Sequence, residues 1–125
     1  MKKKIYYYDT DAGGIVYYAN YLKYIEEART EFFASRGISI QELAKTGILF
    51  VVARQEIDYK YPVYYGDILE ITTRLADISS ACLSFEHEIK NQDGKLTTKA
   101  KTMLVCVGHD LKPRIIPEDI RKAIS

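Results

Sequence analysis

The longest stretch of helical periodicity lies between residues 20 and 36. Apolar side chains recur there at spacings that place them on one stripe of a helix: Tyr21, Tyr24, Ile25, Ala28 and Phe32. Asn20 is a favourable N-cap residue, and Gly37 suits the left-handed position that ends many helices. The pattern predicts one long, largely buried helix over about 20–36. A short helix over 39–45, closed by Gly47, is predicted to follow.

Apolar and polar residues alternate along much of the remaining chain. This period of two predicts strands over 3–8, 49–60, 67–77, 81–90 and 96–107. In the second strand, Val51, Ala53, Ile57 and Tyr59 share one parity, which is expected to be the buried face. The turn residues at 91–94 predict a hairpin, and Pro117 with two following acidic residues predicts a C-terminal helix.

These elements define the expected fold class. One long helix with so much apolar surface needs a large partner, and a curved antiparallel sheet around it is the economical solution. We therefore expect an α+β hotdog fold, with about five antiparallel strands wrapped around one central helix, in a single domain over 1–125. An edge strand of such a sheet can pair with a second copy. A homo-oligomer, either a dimer or a tetramer, is expected.

Composition and charge limit the kinds of binding partner and the cellular location that we expect. The net charge of +1 excludes a strong global field for nucleic acid or an anionic membrane, and no apolar run is long enough to span a bilayer. The N-terminus does not resemble an export signal. We expect Cys82 and Cys106 to be reduced thiols and the protein to be cytoplasmic. The eleven tyrosines favour an interface or a partly wet cleft.

Candidate chemistry is concentrated in a loop over 9–19, just before the long helix. An ionised aspartate can act as a nucleophile or activate a water molecule for attack. A helix N-terminus supplies free N–H groups near developing negative charge. Two aspartates, Asp9 and Asp11, lie in this loop, and Gly13 and Gly14 let the backbone approach a ligand. From spacing alone, an aspartate that only bonds the loop backbone is the commoner explanation.

Residues 7–29 read YYDTDAGGIVYYANYLKYIEEAR. This segment resembles the 4-hydroxybenzoyl-CoA thioesterase family, and within it the YbgC-like acyl-CoA thioesterases. Those proteins carry Asp-Thr-Asp or Asp-Cys-Asp, then a Gly-Ile/Val-Val-aromatic run and a Glu/Asp-x-Ala motif. The resemblance continues through Phe50-Val51-Val52, the segment 67–71 and Lys112-Pro113-Arg114, and so covers nearly the whole chain.

The resemblance implies hydrolysis of a small acyl- or aroyl-CoA thioester, with Asp11 as nucleophile or general base. It assigns Gly14 and Tyr18 to substrate binding, although many YbgC-like members have histidine at the position of Tyr18. A tyrosine there is expected to donate a hydrogen bond or shape the pocket, so the acyl preference stays open. Backbone N–H groups near Gly47 and along 49–53, including Val51, are expected to polarise the carbonyl.

Coenzyme A phosphates need basic residues at the cleft mouth. Arg54 is the assigned substrate-binding candidate; Lys60, Arg74 and Arg114 are the others. No cofactor is expected beyond the coenzyme A of the substrate, and the scattered histidines and cysteines predict no metal site.

Four further residues receive structural interpretations. Asp9 is expected to hold the loop, and Asn20 to cap the helix. Arg29 is expected in a buried or interface ion pair, with a loop carboxylate as one candidate partner. His87 is expected to be a satisfied core residue.

Two other functions compete with hydrolysis. The first is a non-catalytic acyl-CoA-binding or scaffold protein on the same fold. The second is a hotdog hydratase, which ranks last because those enzymes typically pair a histidine with an acidic residue in a loop-helix motif.

Overall fold

A computed structural model describes all residues, 1–125. It contains five strands, three α-helices and one short turn of 3-10 helix. The elements are β1 (Lys2–Lys4), the 3-10 turn (Tyr7–Asp9), α1 (Asn20–Ala34), α2 (Ile40–Lys45), β2 (Leu49–Tyr59), β3 (Ile68–Ile78), β4 (Cys82–Lys90), β5 (Leu96–Val107) and α3 (Glu118–Ile124).

The strands form one antiparallel sheet in the order β1-β3-β4-β5-β2. The helix α1 packs on one face of the sheet, which confirms the predicted α+β class and the long helix. At one end of the sheet, β2 pairs only with β5, so one side of this 11-residue strand has no partner in the chain. None of the helices has the length and apolar character that crossing a bilayer requires. The single domain over 1–125 stays a prediction.

The buried side chains form two clusters along α1. The phenylalanine cluster surrounds the C-terminal half of the helix and consists of Phe32, Phe33, Ile38, Leu83, Phe85, Leu104, Cys106, Ile116, Ile120 and Ile124. The tyrosine cluster surrounds the N-terminal half and consists of Ile5, Val16, Tyr21, Tyr24, Ala28, Val63, Leu69, Ile71 and Ile89. The second cluster lies beneath the loop that carries the candidate aspartate, so packing at this end of the helix positions the site.

Both helix endings that were predicted from glycine are confirmed. Gly37 has a φ of +76°, and the N–H of Ile38 reaches back to the carbonyl of Phe33 at 3.0 Å. Gly47 has a φ of +85°, and Ile48 reaches back to Leu43 at 3.2 Å. This is the bond pattern of a helix that ends through a left-handed residue.

The N-terminal boundaries were predicted less well. The strand expected over 3–8 ends at Lys4, because the next residues turn into a 3-10 helix that closes on Asp9. The helix α1 begins at Asn20, and Ala19 is its N-cap residue. The prediction that Asn20 caps the helix is therefore wrong: its side chain donates instead to the backbone carbonyl of Asp9 at 2.9 Å.

A β-bulge corrects the predicted face of Val51. Phe50 packs against the phenylalanine cluster, and Ile57 packs against the tyrosine cluster. Seven residues separate them, and an uninterrupted strand would put them on opposite faces. The register shift between Val52 and Arg54 restores the alternation. Val51 consequently lies on the outer face, opposite Phe50, and not on the face shared with Ile57.

Candidate active site

The loop between β1 and α1 is held by one buried carboxylate, Asp9, which is 6% exposed. Its Oδ2 accepts the backbone N–H of Tyr6 at 2.9 Å, and its Oδ1 accepts the hydroxyl of Tyr24 at 2.7 Å. Its carbonyl accepts the N–H of Tyr17 at 3.0 Å and the side chain of Asn20 at 2.9 Å. These contacts confirm that Asp9 holds the loop.

Tyr24 is a member of this site that sequence reasoning treated only as part of the apolar stripe. It is 2% exposed. Burial first, and then the hydrogen bond to Asp9, raise the pKa of Tyr24 well above its ordinary value. The hydroxyl therefore stays protonated and donates. The available signal was the hydroxyl itself, since a buried tyrosine hydroxyl usually needs a hydrogen-bond partner.

Two residues further on, Asp11 lies at the exposed tip of the same loop. Its Oδ1 accepts the N–H of Gly13 at 2.8 Å, its own N–H donates to the carbonyl of Ile15 at 2.9 Å, and its carbonyl accepts the N–H of Gly14 at 3.0 Å. Gly14 has a φ of +80°, a conformation that favours glycine. The second carboxylate oxygen, Oδ2, accepts no hydrogen bond from the chain. It is free to meet a water molecule or a substrate.

Unused backbone donors lie between Asp11 and α1. Neither the N–H of Tyr18 nor that of Ala19 donates a hydrogen bond within the chain. Both groups immediately precede Asn20, the first residue of the helix. They lie at the positive end of the helix dipole, where negative charge is stabilised.

Two exposed tyrosine rings accompany these donors. The centroids of Tyr17 and Tyr18 are 4.8 Å apart. The pKa of Tyr17 is raised, first by its hydrogen bond with Tyr18 and by the charge of Tyr18, then by burial and by the charge of Asp11. The charge of Asp11 is the smallest of these contributions. On the other side, the carbonyl of Tyr18 accepts the hydroxyl of Tyr59 at 2.8 Å, which ties the end of β2 to the start of α1.

A cavity of about 320 Å³ lies beside this loop, and we call it the aromatic pocket. Its walls are mostly apolar and come from the loop, the first turn of α1 and the end of β2: Ile15, Val16, Tyr18, Tyr21, Tyr59, Lys60, Tyr61 and Pro62. Ile15 belongs to the wall and also accepts the N–H of Asp11. The pocket and the candidate carboxylate are thus parts of one loop.

The remaining predicted substrate-binding residues lie elsewhere in the chain. Gly47 precedes β2, whereas Tyr59 is its last residue and contacts Tyr18. At about 3.3 Å per strand residue, the length of β2 places Gly47 roughly 30–40 Å from that contact. Val51 and Arg54 lie on the outer face of the same strand. The structure therefore brings Gly14 and Tyr18 together with Asp11, and it does not bring Gly47, Val51 or Arg54 to that loop within one chain.

The basic residues considered for coenzyme A phosphates are similarly dispersed. Arg54 pairs with Glu56 at 2.5 Å and lines a cavity of about 380 Å³ on the outer sheet face. Arg74 pairs with Glu86, another outer-face residue that lines the same cavity. Arg114 donates to the carbonyl of Gly47 at 3.3 Å. Only Lys60 lines the aromatic pocket.

A row of polar side chains separates the two hydrophobic clusters on the inner face of the sheet. His87 is 1% exposed, with Nδ1 3.1 Å from the hydroxyl of Thr73 and Nε2 3.3 Å from that of Thr102. Thr102 donates its single proton to Gln55 at 2.7 Å, so it accepts from Nε2–H, and Thr73 donates to Nδ1. Burial, with a smaller contribution from Arg29, lowers the pKa of His87 to about 4. The structural interpretation of His87 is confirmed.

Arg29 lies close to this row and is 9% exposed. Burial lowers the pKa of its guanidinium, and the charge of Glu26 acts in the opposite direction. No carboxylate lies within 4.0 Å of it. The prediction that Arg29 forms an ion pair with a loop carboxylate is therefore wrong within one chain, since Asp9 accepts hydrogen bonds from Tyr6 and Tyr24 instead. A pair across a contact between copies stays a prediction.

A family model described as the Thioesterase-like superfamily matches residues 6–124. The chain belongs to this superfamily. The acyl-CoA thioester hydrolase YbgC of Escherichia coli is 37% identical over 118 residues, covering 94% of this chain and 88% of that protein. The acyl-CoA thioesterase YbgC of Haemophilus influenzae is 34% identical over 122 residues, covering 96% and 89%. The predicted thioesterase family is confirmed.

Solved structures confirm the hotdog fold. The DHNA-CoA thioesterase of Staphylococcus aureus superimposes with a TM-score of 0.94 at 28% identity, covering 98% of this chain and 85% of that one. A structure of 4-hydroxybenzoyl CoA thioesterase has a TM-score of 0.90 at 22% identity, covering 100% and 96%. The second likeness concerns the fold alone.

Proposed function

We propose that this protein hydrolyses acyl-CoA thioesters to a free acid and coenzyme A, with Asp11 as the catalytic carboxylate. The observation that carries the proposal is the arrangement at the start of α1. A carboxylate with one uncommitted oxygen and two unused backbone N–H groups belong to the same loop, which leads into the N-terminus of the helix. Acyl transfer requires a nucleophile or general base, and hydrogen-bond donors that stabilise the oxyanion. The names of the YbgC relatives support this reaction.

Two routes are open to Asp11. As a nucleophile, its Oδ2 attacks the thioester carbonyl, the C–S bond breaks, and coenzyme A leaves as a thiolate that takes up a proton. Water then hydrolyses the resulting anhydride. As a general base, Asp11 takes a proton from a water molecule, whose oxygen attacks the same carbonyl and expels the thiolate. In both routes the carbonyl oxygen becomes negatively charged, and the N–H groups of Tyr18 and Ala19 are suited to stabilise it.

We further propose that two copies of the chain complete the site. An 11-residue edge strand leaves a row of N–H and C=O groups without partners, and such edges readily pair with another chain. Val51 and Val52 on this strand are exposed apolar residues. Pairing through β2 would let Gly47, Val51 and Arg54 of one copy approach the Asp11 loop of the other. It would also offer the buried Arg29 a carboxylate across the contact.

The reaction is tested by thiol release from a panel of acyl-CoAs with Asp11→Asn. The variant keeps the acceptor for the Gly13 N–H but is neither a base nor a nucleophile, so kcat/KM is expected to fall by about 10²-fold or more. The melting temperature should stay at the wild-type value, because Asp11 is exposed. Asp93→Asn, in an exposed turn, is the matched control and should retain activity.

Equal turnover of wild type and Asp11→Asn on every accepted substrate would remove Asp11 from the mechanism. Tight acyl-CoA binding by the wild type without thiol release would favour the non-catalytic binding protein instead. Trapping of a hydroxamate on Asp11 by hydroxylamine during turnover would support the nucleophilic route over the general-base route.

The shared site is tested by mixing subunits. Asp11→Asn and Arg54→Glu chains should each be inactive, whereas a refolded mixture should regain about one quarter of wild-type activity, since half of the dimers are mixed and each mixed dimer keeps one intact site of two. Wild-type activity of Arg54→Glu would overturn the role of Arg54. Sedimentation of the wild type as a monomer at assay concentration would overturn the shared site.

Two expectations stay predictions alongside this function. One is the cytoplasmic location; the other is that no cofactor acts beyond the coenzyme A of the substrate.

A further inference from the structure

The wall of the aromatic pocket is rich in tyrosine rings. Four of its eight wall residues are tyrosines, and the rings of Tyr21 and Tyr59 meet with centroids 5.2 Å apart and 71° between their planes. Tyr21 is 4% exposed and Val16 is 3% exposed, whereas Tyr18 and Tyr59 are 63% and 51% exposed. The pocket therefore has a buried base and an open, aromatic mouth.

The position of the pocket relates it to the reacting atoms of the proposed function. Its wall residue Ile15 accepts the N–H of Asp11, and its wall residue Tyr18 carries one of the two unused backbone donors. A thioester carbonyl held by those donors has its acyl group on one side and its sulfur on the other. The apolar pocket suits the acyl side, because the coenzyme A side is charged and polar.

We infer that the aromatic pocket receives the acyl group of the substrate, that it favours a flat aromatic acyl group, and that Tyr59 is a specificity-determining residue. The inference rests on the proposed thioesterase function. Aromatic rings prefer tilted or offset partners with centroids 4.5–7 Å apart. The wall carries four tyrosine rings, two of which, Tyr21 and Tyr59, already meet in such an arrangement. A saturated acyl group of the same size would bury similar area without those contacts.

Tyr59 is singled out by its second contact. Its hydroxyl donates to the carbonyl of Tyr18 at 2.8 Å, while its ring packs on Tyr21. The hydroxyl fixes the ring across the gap between the end of β2 and the start of α1. Tyr59 thus forms a pocket wall whose position is tied to the residue that carries the oxyanion donor.

The test compares kcat/KM for benzoyl-CoA with kcat/KM for cyclohexanecarbonyl-CoA, two acyl groups of nearly equal size of which only one is aromatic. The change in this ratio between variant and wild type cancels the different intrinsic reactivities of the two thioesters. Tyr59→Leu should lower the ratio by roughly 2- to 12-fold, the equivalent of one aromatic pair worth about 0.5–1.5 kcal/mol. Tyr59→Phe keeps the ring but loses the hydrogen bond that fixes it, so its ratio should lie between those of the wild type and Tyr59→Leu.

Tyr65→Leu is the matched control, because Tyr65 is 62% exposed and lies outside the pocket. It should leave the ratio unchanged. An unchanged ratio in Tyr59→Leu, with both substrates still cleaved, would overturn the acyl pocket and leave the proposed hydrolysis standing. Should Tyr59→Leu fail to fold, a lowered ratio in Tyr61→Leu, another wall residue, supports the pocket and an unchanged ratio overturns it. Failure of the wild type to release thiol from any acyl-CoA would instead overturn the proposed function.

Discussion

The two ends of helix α1 are buried by different chemistries. At the C-terminal end, Phe32, Phe33 and Phe85 form a set of edge-on rings with centroids 5.2–5.9 Å apart, and α3 closes the cluster with isoleucines. At the N-terminal end, the large buried rings are Tyr21 and Tyr24. Both ends exclude water equally well, since the largest side chains of each cluster are almost fully buried.

The difference lies in the hydroxyl groups. The hydroxyl of Tyr24 holds Asp9, and that of Tyr59 holds the carbonyl of Tyr18. Burial raises the pKa of Tyr21 to about 12, so this ring also stays neutral. The phenylalanine end therefore supplies stability through packing alone. The tyrosine end supplies packing and also fixes the backbone of the loop that carries Asp11.

The largest expected effect is a loss of folding stability at the phenylalanine end without a loss of catalytic activity. Phe33→Ala should lower the free energy of unfolding by about 3–5 kcal/mol, because it removes a ring that is 2% exposed and packed against three others. Measured by urea denaturation, this loss should come with wild-type kcat/KM under conditions where the variant is folded. A matching loss of turnover would show that this end also positions the site.

His87 lies between the two clusters and makes their joint stability depend on pH. Its pKa is lowered from 6.5 to about 4 in the folded state, so the unfolded chain binds more protons between these values. The contribution of neutral His87 to the free energy of unfolding should be fully present above about pH 6.5, and about 3 kcal/mol of it should be lost as the pH drops to 4. Urea denaturation at several pH values should show this acid limb in the wild type. In His87→Gln, which cannot titrate, the limb should be markedly flatter; an identical limb would assign it to other groups.

Tyr24→Phe tests the tyrosine end through a single oxygen atom. It leaves the ring packing intact but removes a donor to the buried Asp9 carboxylate, which should cost about 1.5–3 kcal/mol of stability. Because Asp9 holds the loop, kcat should also fall, in contrast to Phe33→Ala. Tyr21→Phe is the control, since Tyr21 makes no contact with Asp9. If Tyr24→Phe lost stability but kept the wild-type kcat, Tyr24 would be purely structural. The tyrosine end would then not differ from the phenylalanine end in positioning the Asp11 loop.

The smallest effects concern one surface cation at each end. Arg36 lies over the ring of Phe32 at 3.7 Å, and Lys3 pairs with Glu27 at 3.3 Å. Arg36→Gln and Lys3→Gln should each cost less than about 1 kcal/mol, since solvent screens both contacts. Equal, small shifts in melting temperature would show that the two ends differ in their buried groups and not on their surfaces.

Several features of the fold were predictable because they depend on neighbours in sequence. The stripe from Tyr21 to Phe32 needs only the helical period, and Gly37 and Gly47 end their helices because glycine tolerates a left-handed conformation. The strands β3, β4 and β5 were recognisable from alternation. The family resemblance rests in the same way on a contiguous segment, residues 7–29.

Other features were mispredicted because distant groups compete for the same atoms. Asn20 has the chemistry of an N-cap, but the carbonyl of Asp9 lies within reach and takes its side chain. Val51 has the parity of the buried face, but a bulge at the β2–β5 pairing reverses it. Both outcomes depend on partners outside the segment that made the prediction: the carbonyl of Asp9 for Asn20, and the paired strand β5 for Val51.

Asp9 is buried and Asp11 is exposed, and this difference at the candidate site also depended on the tertiary structure. The sequence by itself determined that two carboxylates precede a long amphipathic helix, and the family resemblance predicts a catalytic role for Asp11 alone. Only the tertiary structure decided that Asp9 is buried against Tyr24, while Asp11 stays exposed with one carboxylate oxygen that accepts no hydrogen bond from the chain. It also decided that Tyr59, 41 residues away from Tyr18, closes the pocket beside them. Burial and long-range hydrogen bonds depend on which segments meet in space, and that is decided by the packing of the whole chain.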